Sequence, residues 1–192
     1  MFNKLFLYKQ LLLIWLFFIF KVKLINVVIK NDKDTMDTFA ETINNISNAY
    51  ESSEINIILE DDYYPIATYN RNIFNVKSSL IFHGDANGKS GTVFDFQHSP
   101  KSTINFIFQQ DLSFKKIVFK NITFQRYYNS EPFTYMMFFT ITTEINNFQV
   151  IFEHCTFFDI HGLSLYIRHS GLSSNDSSIP ESHMIFNHCK FM

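Results

Sequence analysis

The pattern of apolar residues changes twice along the chain and divides it into three parts. A basic start with Lys4 and Lys9 and no acidic residue leads into an unbroken apolar run from Leu11 to Phe20. From residue 55 onward, apolar residues come in short β-rich runs separated by turn clusters, which predicts strands. Between these parts, apolar side chains recur at intervals of three and four, which predicts a helix with one apolar face: Met36, Phe39, Ile43, Ile46 and Tyr50.

The first 30 residues are predicted to be a signal peptide or an uncleaved signal anchor. The apolar run is ten residues long, within the roughly 7–15 typical of a signal peptide and short of the roughly 20 that span a bilayer. No small-x-small cleavage site follows at residues 21–28, so both alternatives stay open, as does a buried helix. The first two alternatives place residues 31–192 in the secretory pathway, either extracellular or anchored at the cell surface.

The remaining chain is predicted to form one strand-rich domain over residues 31–192. Its helix is expected at Asp34–Tyr50, with Asp34 and Thr35 as candidate caps. Strand-like runs then begin at Ile55, Ser79, Thr92, Thr103 and Met137. A domain of this length is long enough to bury a hydrophobic core.

A degenerate repeat indicates how these strands are arranged. Residues 117–124, 150–157 and 184–191 align at offsets of 33 and 34, a period typical of solenoids. In each unit the apolar spacing is two, then three, then two. Because side chains alternate along a strand, the step of three predicts two strands joined by a one-residue bend. The predicted bend residues are Asn121, His154 and His188, and both residue types tolerate the left-handed conformation.

With these motifs, the chain resembles right-handed parallel β-helix proteins of the pectin lyase-like architecture over about residues 35–192. The resemblance rests on the helix, on Leu80-Ile-Phe-His-Gly-Asp85 and on Phe152-Glu-His-Cys-Thr-Phe157. It implies an all-β, right-handed parallel β-helix with an N-terminal capping α-helix. A β-sandwich is the alternative, and the step of three at matching offsets favours the β-helix.

Composition narrows the function classes. Of the 192 residues, 46% are hydrophobic and 18% are charged, and the net charge is −2. These values argue against a disordered chain and against a nucleic-acid binder that relies on a basic surface. Two cysteines cannot form a disulfide-dense scaffold.

The resemblance also implies a test for catalysis, because enzymes of this architecture cleave acidic polysaccharides with clustered carboxylates, sometimes with calcium. The matching fragments here are Asp159, His161 and Arg168, without the paired aspartates or the complete Gly-His-Gly turn. A site needs the whole constellation, so we expect a structural turn, no catalytic residue and no cofactor. The acidic run Glu60, Asp61 and Asp62 is a candidate calcium site, against the expectation of a solvated turn.

Several other residues are candidates for binding or modification. Residues 125–135 are predicted to form a loop whose Arg126, Tyr127, Tyr128 and Tyr135 suit an acidic sugar. Asn175 and Asn45 are the favoured glycosylation sites. Cys155 and Cys189 are expected to form a buried thiol stack, with a disulfide as the alternative. His154 and His188 are expected to be turn residues rather than metal ligands.

The repeat reaches Phe191 and Met192 with no polar cap after it. We therefore expect an open C-terminal coil, with self-association or a partner there, because solenoids need caps. The leading functional hypothesis is a non-catalytic secreted or surface-anchored module that binds glycans or proteins. The alternatives are a pectin-degrading-type lyase or hydrolase and a fragment of a larger membrane surface protein.

Overall fold

The computed structural model describes residues 24–32, 38–51, 53–66, 72–85, 91–99, 103–108, 113–128, 139–143, 147–161, 165–169 and 183–192. Most of the predicted signal or anchor segment lies outside these residues, up to residue 23. Asp34, Thr35, Met36, Tyr135 and Asn175 lie outside them as well.

The described residues form one helix and a series of parallel strands. The helix α1 is Phe39–Ala49. The strands are β1 Leu24–Ile29, β2 Glu54–Leu59, β3 Tyr63–Pro65, β4 Asn72–Val76, β5 Ser79–His83, β6 Thr92–Asp95, β7 Ile104–Phe108, β8 Lys115–Lys120, β9 Ile122–Tyr128, β10 Phe139–Thr143, β11 Phe148–Glu153, β12 Thr156–His161, β13 Leu165–His169, β14 Met184–Asn187 and β15 Lys190–Phe191.

These strands coil into a parallel β-solenoid with three sheets. The first sheet has the order β1-β2-β5-β8-β11-β14, the second β3-β6-β9-β12-β15 and the third β4-β7-β10-β13. From β2 onward, consecutive strands therefore go to different sheets, and each complete coil adds one strand to each sheet. The parallel β-solenoid predicted from the repeat is confirmed.

The predicted stacking of the repeat is also present. Phe119 pairs with Phe152 and Phe152 with Phe186 in the first sheet, and the columns continue in the second. The bend residues Asn121, His154 and His188 have φ angles of 53°, 54° and 53°. All three bends are thus left-handed, as the step of three predicted.

Stacked phenylalanine rings fill the narrow core. Phe119 stacks on Phe82 with ring centroids 4.8 Å apart and on Phe152 at 5.3 Å. Phe124 stacks on Phe157 at 5.2 Å. Parallel strands lie about 4.8 Å apart, so in-register rings meet nearly face to face.

The N-terminal elements differ from the prediction in their bounds. Helix α1 buries Phe39 and Ile43 against the coil, but Tyr50, which the pattern placed on its apolar face, is 39% exposed. Strand β1 pairs in parallel with β2 over Leu24–Ile29, so these residues of the predicted leader belong to the first sheet. Within the described part of the chain, no helix is long and apolar enough to cross a membrane.

Candidate functional site

A second set of bends determines which side chains of the second sheet face outward. Arg126 and Asp159 have φ angles of 55° and 52°, in the middle of β9 and β12. A left-handed residue inside a strand adds one position and reverses the alternation of side chains, as in a β-bulge. Arg126 therefore stays on the outside, while the next residue, Tyr127, turns inward.

This bend corrects two predictions about residues 125–135. Gln125 to Tyr128 belong to strand β9 and not to a loop. Tyr127 is fully buried, its ring contacts Phe96 edge-on at 5.8 Å, and burial raises its pKa to about 12. Tyr127 is therefore a core residue and not a ligand-binding one.

On the outside of the bend, five side chains form what we call the Asp95 cluster: Tyr63, Asp95, Gln97, Gln125 and Arg126. Arg126 donates to both carboxylate oxygens of Asp95, with Nε 2.9 Å from Oδ1 and Nη2 on Oδ2. The Tyr63 hydroxyl donates to Asp95 Oδ2 at 2.9 Å, and the Gln125 amide donates at 3.1 Å. The main-chain N–H of Gln97 donates to Oδ1 at 2.8 Å. The carboxylate is thereby completely enclosed.

The cluster keeps Asp95 ionised. Burial raises the pKa of Asp95, but hydrogen bonds from Arg126, Gln97, Gln125 and Tyr63 outweigh burial and leave the pKa below its ordinary value. The same contact with Asp95 raises the pKa of Arg126. The two charges compensate each other, while the Arg126 side chain remains 40% exposed and available to a ligand.

Beside this cluster, a chain of contacts joins Tyr128 to Asp159. The Tyr128 and His161 rings meet edge-on with centroids 5.7 Å apart. His161 Nε2 lies 3.0 Å from Asp159 Oδ1, and His98 Nε2 lies 3.7 Å from Asp159 Oδ2. The N–H of His98 also donates to the main-chain oxygen of Arg126 at 2.7 Å, which links the two groups.

Around these contacts, outward-facing side chains of β3, β9 and β12 form one surface region of the second sheet. We call it the aromatic patch and define it as Tyr63, Arg126, Tyr128, Phe158 and His161. Tyr63, Tyr128 and Phe158 are 37%, 43% and 46% exposed. Phe158 is in register with Gln125 of the Asp95 cluster. Four parallel strands extend over about 14 Å along the solenoid axis, so the patch suits an elongated ligand.

The three catalytic candidates do not come together on one sheet. Asp159 and His161 lie on β12 in the second sheet, whereas Arg168 lies on β13 in the third sheet, in register with Thr142. The neighbouring carboxylate, that of Asp95, is already bound to Arg126. Among the described residues, this surface therefore does not present the pair of carboxylates that glycoside hydrolysis uses.

The first two carboxylates of the acidic run after β2 contact different partners. Glu60 forms an ion pair with Lys30 at 3.4 Å, and Asp61 accepts the main-chain N–H of Asn31 at 2.6 Å. Asp62 is exposed. Among the described residues, no group of three or more histidine, cysteine, aspartate or glutamate side chains is arranged to hold a metal ion.

Cysteine and histidine columns lie on the first bend. Cys155 and Cys189 are free thiols in this structure, and their sulfur atoms lie 3.4 Å from the main-chain oxygens of Phe119 and Phe152, respectively. His154 and His188 are exposed, and their rings stack 5.0 Å apart. Each histidine occupies a left-handed bend, the turn role that the sequence predicted.

Of the glycosylation candidates, Asn45 is exposed on α1. Asn121, which also begins an Asn-x-Thr sequence, lies on a bend and donates from Nδ2 to Asp85 at 2.9 Å.

An open groove of about 460 Å3 lies between β1 and α1. It is lined by Val27, Val28, Ile29, Lys30, Asp32, Thr38 and Thr42. No residue of this described lining is aromatic. The aromatic patch differs from this groove because it presents aromatic rings beside a guanidinium.

Sequence reasoning missed several of the residues around the patch. Tyr63, Asp95, His98 and Phe158 come from β3, β6, the turn after β6 and β12, and only the stacking of the coils brings them near Arg126. One signal was available for Asp95. It lies between Phe94 and Phe96 in a strand, so alternation places its carboxylate outward, in line with the strand that carries Arg126.

Fold and surface together define a parallel β-solenoid with an outward patch of aromatic and paired charged side chains. The chain matches no protein-family model, no curated protein and no solved structure.

Proposed function

We propose that the protein is a non-catalytic β-solenoid module that binds glycans through the aromatic patch. The observation that carries the proposal is the exposure of Tyr63, Tyr128 and Phe158 on one surface with Arg126. Isolated exposed aromatic residues are common, but Tyr128 and Phe158 lie on adjacent strands of one sheet. Tyr63, two coils away from Tyr128, binds the same Asp95 carboxylate as Arg126.

The chemistry of these side chains suits a sugar chain. Aromatic rings pack against the apolar faces of sugar rings, while polar groups at fixed positions set orientation. Two hydrogen bonds to Asp95 hold the Arg126 side chain in place before a ligand binds. Ligand binding therefore costs little additional side-chain entropy at Arg126. Because Nε and Nη2 of Arg126 already donate to Asp95, a ligand carboxylate would accept from the remaining N–H groups of the guanidinium.

The proposal also covers the handedness and type of the β-helix and the compartment in which the protein functions. The left-handed bends and in-register phenylalanine columns support a right-handed β-helix of the pectin lyase-like type, with α1 as its N-terminal cap. The basic and apolar N-terminal segment supports secretion or anchoring at the cell surface. Strand β1 restricts this proposal, because cleavage within or beyond Leu24–Ile29 would remove residues of the first sheet.

The test is a glycan-binding measurement on the full chain produced through a secretory host. Immobilised neutral and acidic polysaccharides would be screened, and Kd would be measured by calorimetry for those that bind. We expect Tyr128→Ala to weaken binding by about tenfold, since one aromatic contact of this kind contributes roughly 1–2 kcal/mol. Tyr50→Ala is the matched control, because Tyr50 is similarly exposed but lies at the end of α1.

Two kinds of result would contradict the proposal, a failure of patch-dependent binding and cleavage of the polysaccharide. One is equal loss of binding in the Tyr128 and Tyr50 variants, or no binding by the folded wild-type protein. The other is depolymerisation of polygalacturonate that Asp159→Ala abolishes, which would support the lyase or hydrolase alternative instead.

A further inference from the structure

Asp159 is held between two imidazole rings at the edge of the aromatic patch. His161 contacts one carboxylate oxygen at 3.0 Å, and His98 lies 3.7 Å from the other. The side chains of His98 and His161 are 51% and 62% exposed. His98 follows β6 whereas Asp159 lies on β12, so the contact spans the intervening strand β9.

Protonation of these rings changes the sign of the local charge. Histidine is the side chain whose charge changes between about pH 5 and 8. With neutral rings, Asp159 adds a negative charge beside the compensated Asp95–Arg126 pair. With both rings protonated, the same groups have an excess of positive charge.

We infer that the aromatic patch binds anionic glycans more tightly at mildly acidic than at neutral pH, an inference that rests on the proposed glycan-binding function. Asp159 repels an anionic ligand while the rings are neutral. The protonated rings compensate Asp159 and donate charge-assisted hydrogen bonds to the ligand.

In this inference, protonation of His98 and His161 changes the charge around Asp159, and the other charged groups nearby do not change it. Asp95 stays ionised in mild acid because its pKa is lowered by Arg126, Gln97, Gln125 and Tyr63 despite its burial. The Asp95–Arg126 pair is therefore unchanged over this pH range. Among the described residues, the other titratable side chains on adjoining elements are Tyr63 on β3, Tyr127 and Tyr128 on β9 and Lys190 on β15. The main-chain oxygen of Met192 accepts the Asp159 N–H.

The experiment measures Kd for three polysaccharides at about pH 5 and about pH 7.5. The probes are polygalacturonate, dextran sulfate and a neutral dextran of matched length. We expect acidification to tighten binding of at least one anionic probe by about tenfold. The neutral dextran should bind equally at both pH values. The gain should shrink at high salt, because ions screen exposed charges.

Variants separate the switch from general effects of acid. The double variant His98→Asn, His161→Asn should lose the pH dependence. Asn also accepts the left-handed backbone of His98, where φ is 56°. The matched control is His154→Asn, His188→Asn, which removes two exposed histidines from the other bend and should keep the pH dependence.

The variant Asp159→Asn gives an independent readout. Without the carboxylate, an anionic probe should bind more tightly at neutral pH, an increase that damage to the fold would not produce. Glycan binding that is equal at both pH values, or that weakens in acid, would overturn this inference and leave the proposed function intact. No glycan binding at either pH would overturn both.

Discussion

The guanidinium of Arg126 covers the carboxylate of Asp95 from the next coil of the solenoid. Asp95 is completely buried although its position in β6 faces outward, and Arg126 is 40% exposed. A charge that is enclosed in this way needs its partners, because a buried carboxylate without hydrogen bonds is costly. The pair thus joins neighbouring coils and also orients the cation of the proposed binding site.

The first prediction concerns the acid sensitivity of this cluster. The pKa of Asp95 is lower in the folded protein than its ordinary value, so the unfolded chain binds the additional proton. The stabilisation from Asp95 is therefore complete above the ordinary carboxyl pKa, and it is lost as the pH falls through the folded value. We expect Asp95→Asn to lower the free energy of unfolding by about 2 kcal/mol at pH 7, measured by urea denaturation.

The difference between wild type and Asp95→Asn should shrink as the pH is lowered below about 4. Asp159→Asn is the control, since Asp159 is a partly exposed aspartate nearby, and we expect a smaller effect at pH 7. A difference between wild type and Asp95→Asn that is constant from pH 7 to pH 3 would show that the lost interaction is not the ionised carboxylate.

The second prediction concerns the aromatic columns of the core. Phe119 is stacked between Phe82 and Phe152 and is 1% exposed. Phe119→Ala removes both contacts and leaves a cavity, so we expect the free energy of unfolding to fall by about 3–5 kcal/mol. Phe114→Ala is the matched control at a residue that is 49% exposed, with an expected loss below about 1 kcal/mol. Similar losses in the two variants would contradict the stacked core.

The sequence predicted the first bend because the apolar spacing changes there. Asn121, His154 and His188 interrupt a strict alternation, and a step of three can only be accommodated by one left-handed residue between two strands. The parallel pairing then follows from the offset of the repeats. At this bend, the spacing of apolar residues and the pairing of neighbouring coils therefore predict the same arrangement.

The second bend could not be predicted in the same way. Arg126 and Asp159 are left-handed inside continuous strands. Tyr128 and Phe158 face outward but are aromatic like the inward Tyr127 and Phe157, so apolar character alone does not show which residues face the core. From the sequence, Tyr127 and Tyr128 are therefore equal candidates for ligand binding, although Tyr127 is buried and Tyr128 is exposed. Likewise, the partner of Asp95 lies 31 residues away, so its enclosure depends on how the coils stack.

The third prediction tests the left-handed bends directly. His154 has a φ angle of 54°, a conformation that asparagine tolerates and that is strained for a β-branched residue. We expect His154→Val to lower the free energy of unfolding by about 1–2 kcal/mol, whereas His154→Asn should change it by less than about 0.5 kcal/mol. Chemical denaturation of both variants checks this, and both lose the ring contact with His188. An equal loss in both would assign the cost to the histidine stack instead of the backbone.

The fourth prediction concerns the reactivity of the two thiols. Cys155 is fully buried, and burial raises its pKa to about 12. Burial also raises the pKa of Cys189, which is only partly buried. Because the thiolate is the reactive form, iodoacetamide at about pH 8 should modify Cys189 faster than Cys155 in the folded protein, as followed by peptide mass spectrometry. The two rates should become equal in denaturant. The variant Cys189→Ala should remove the faster reaction, and rapid modification of Cys155 in that folded variant would contradict its burial.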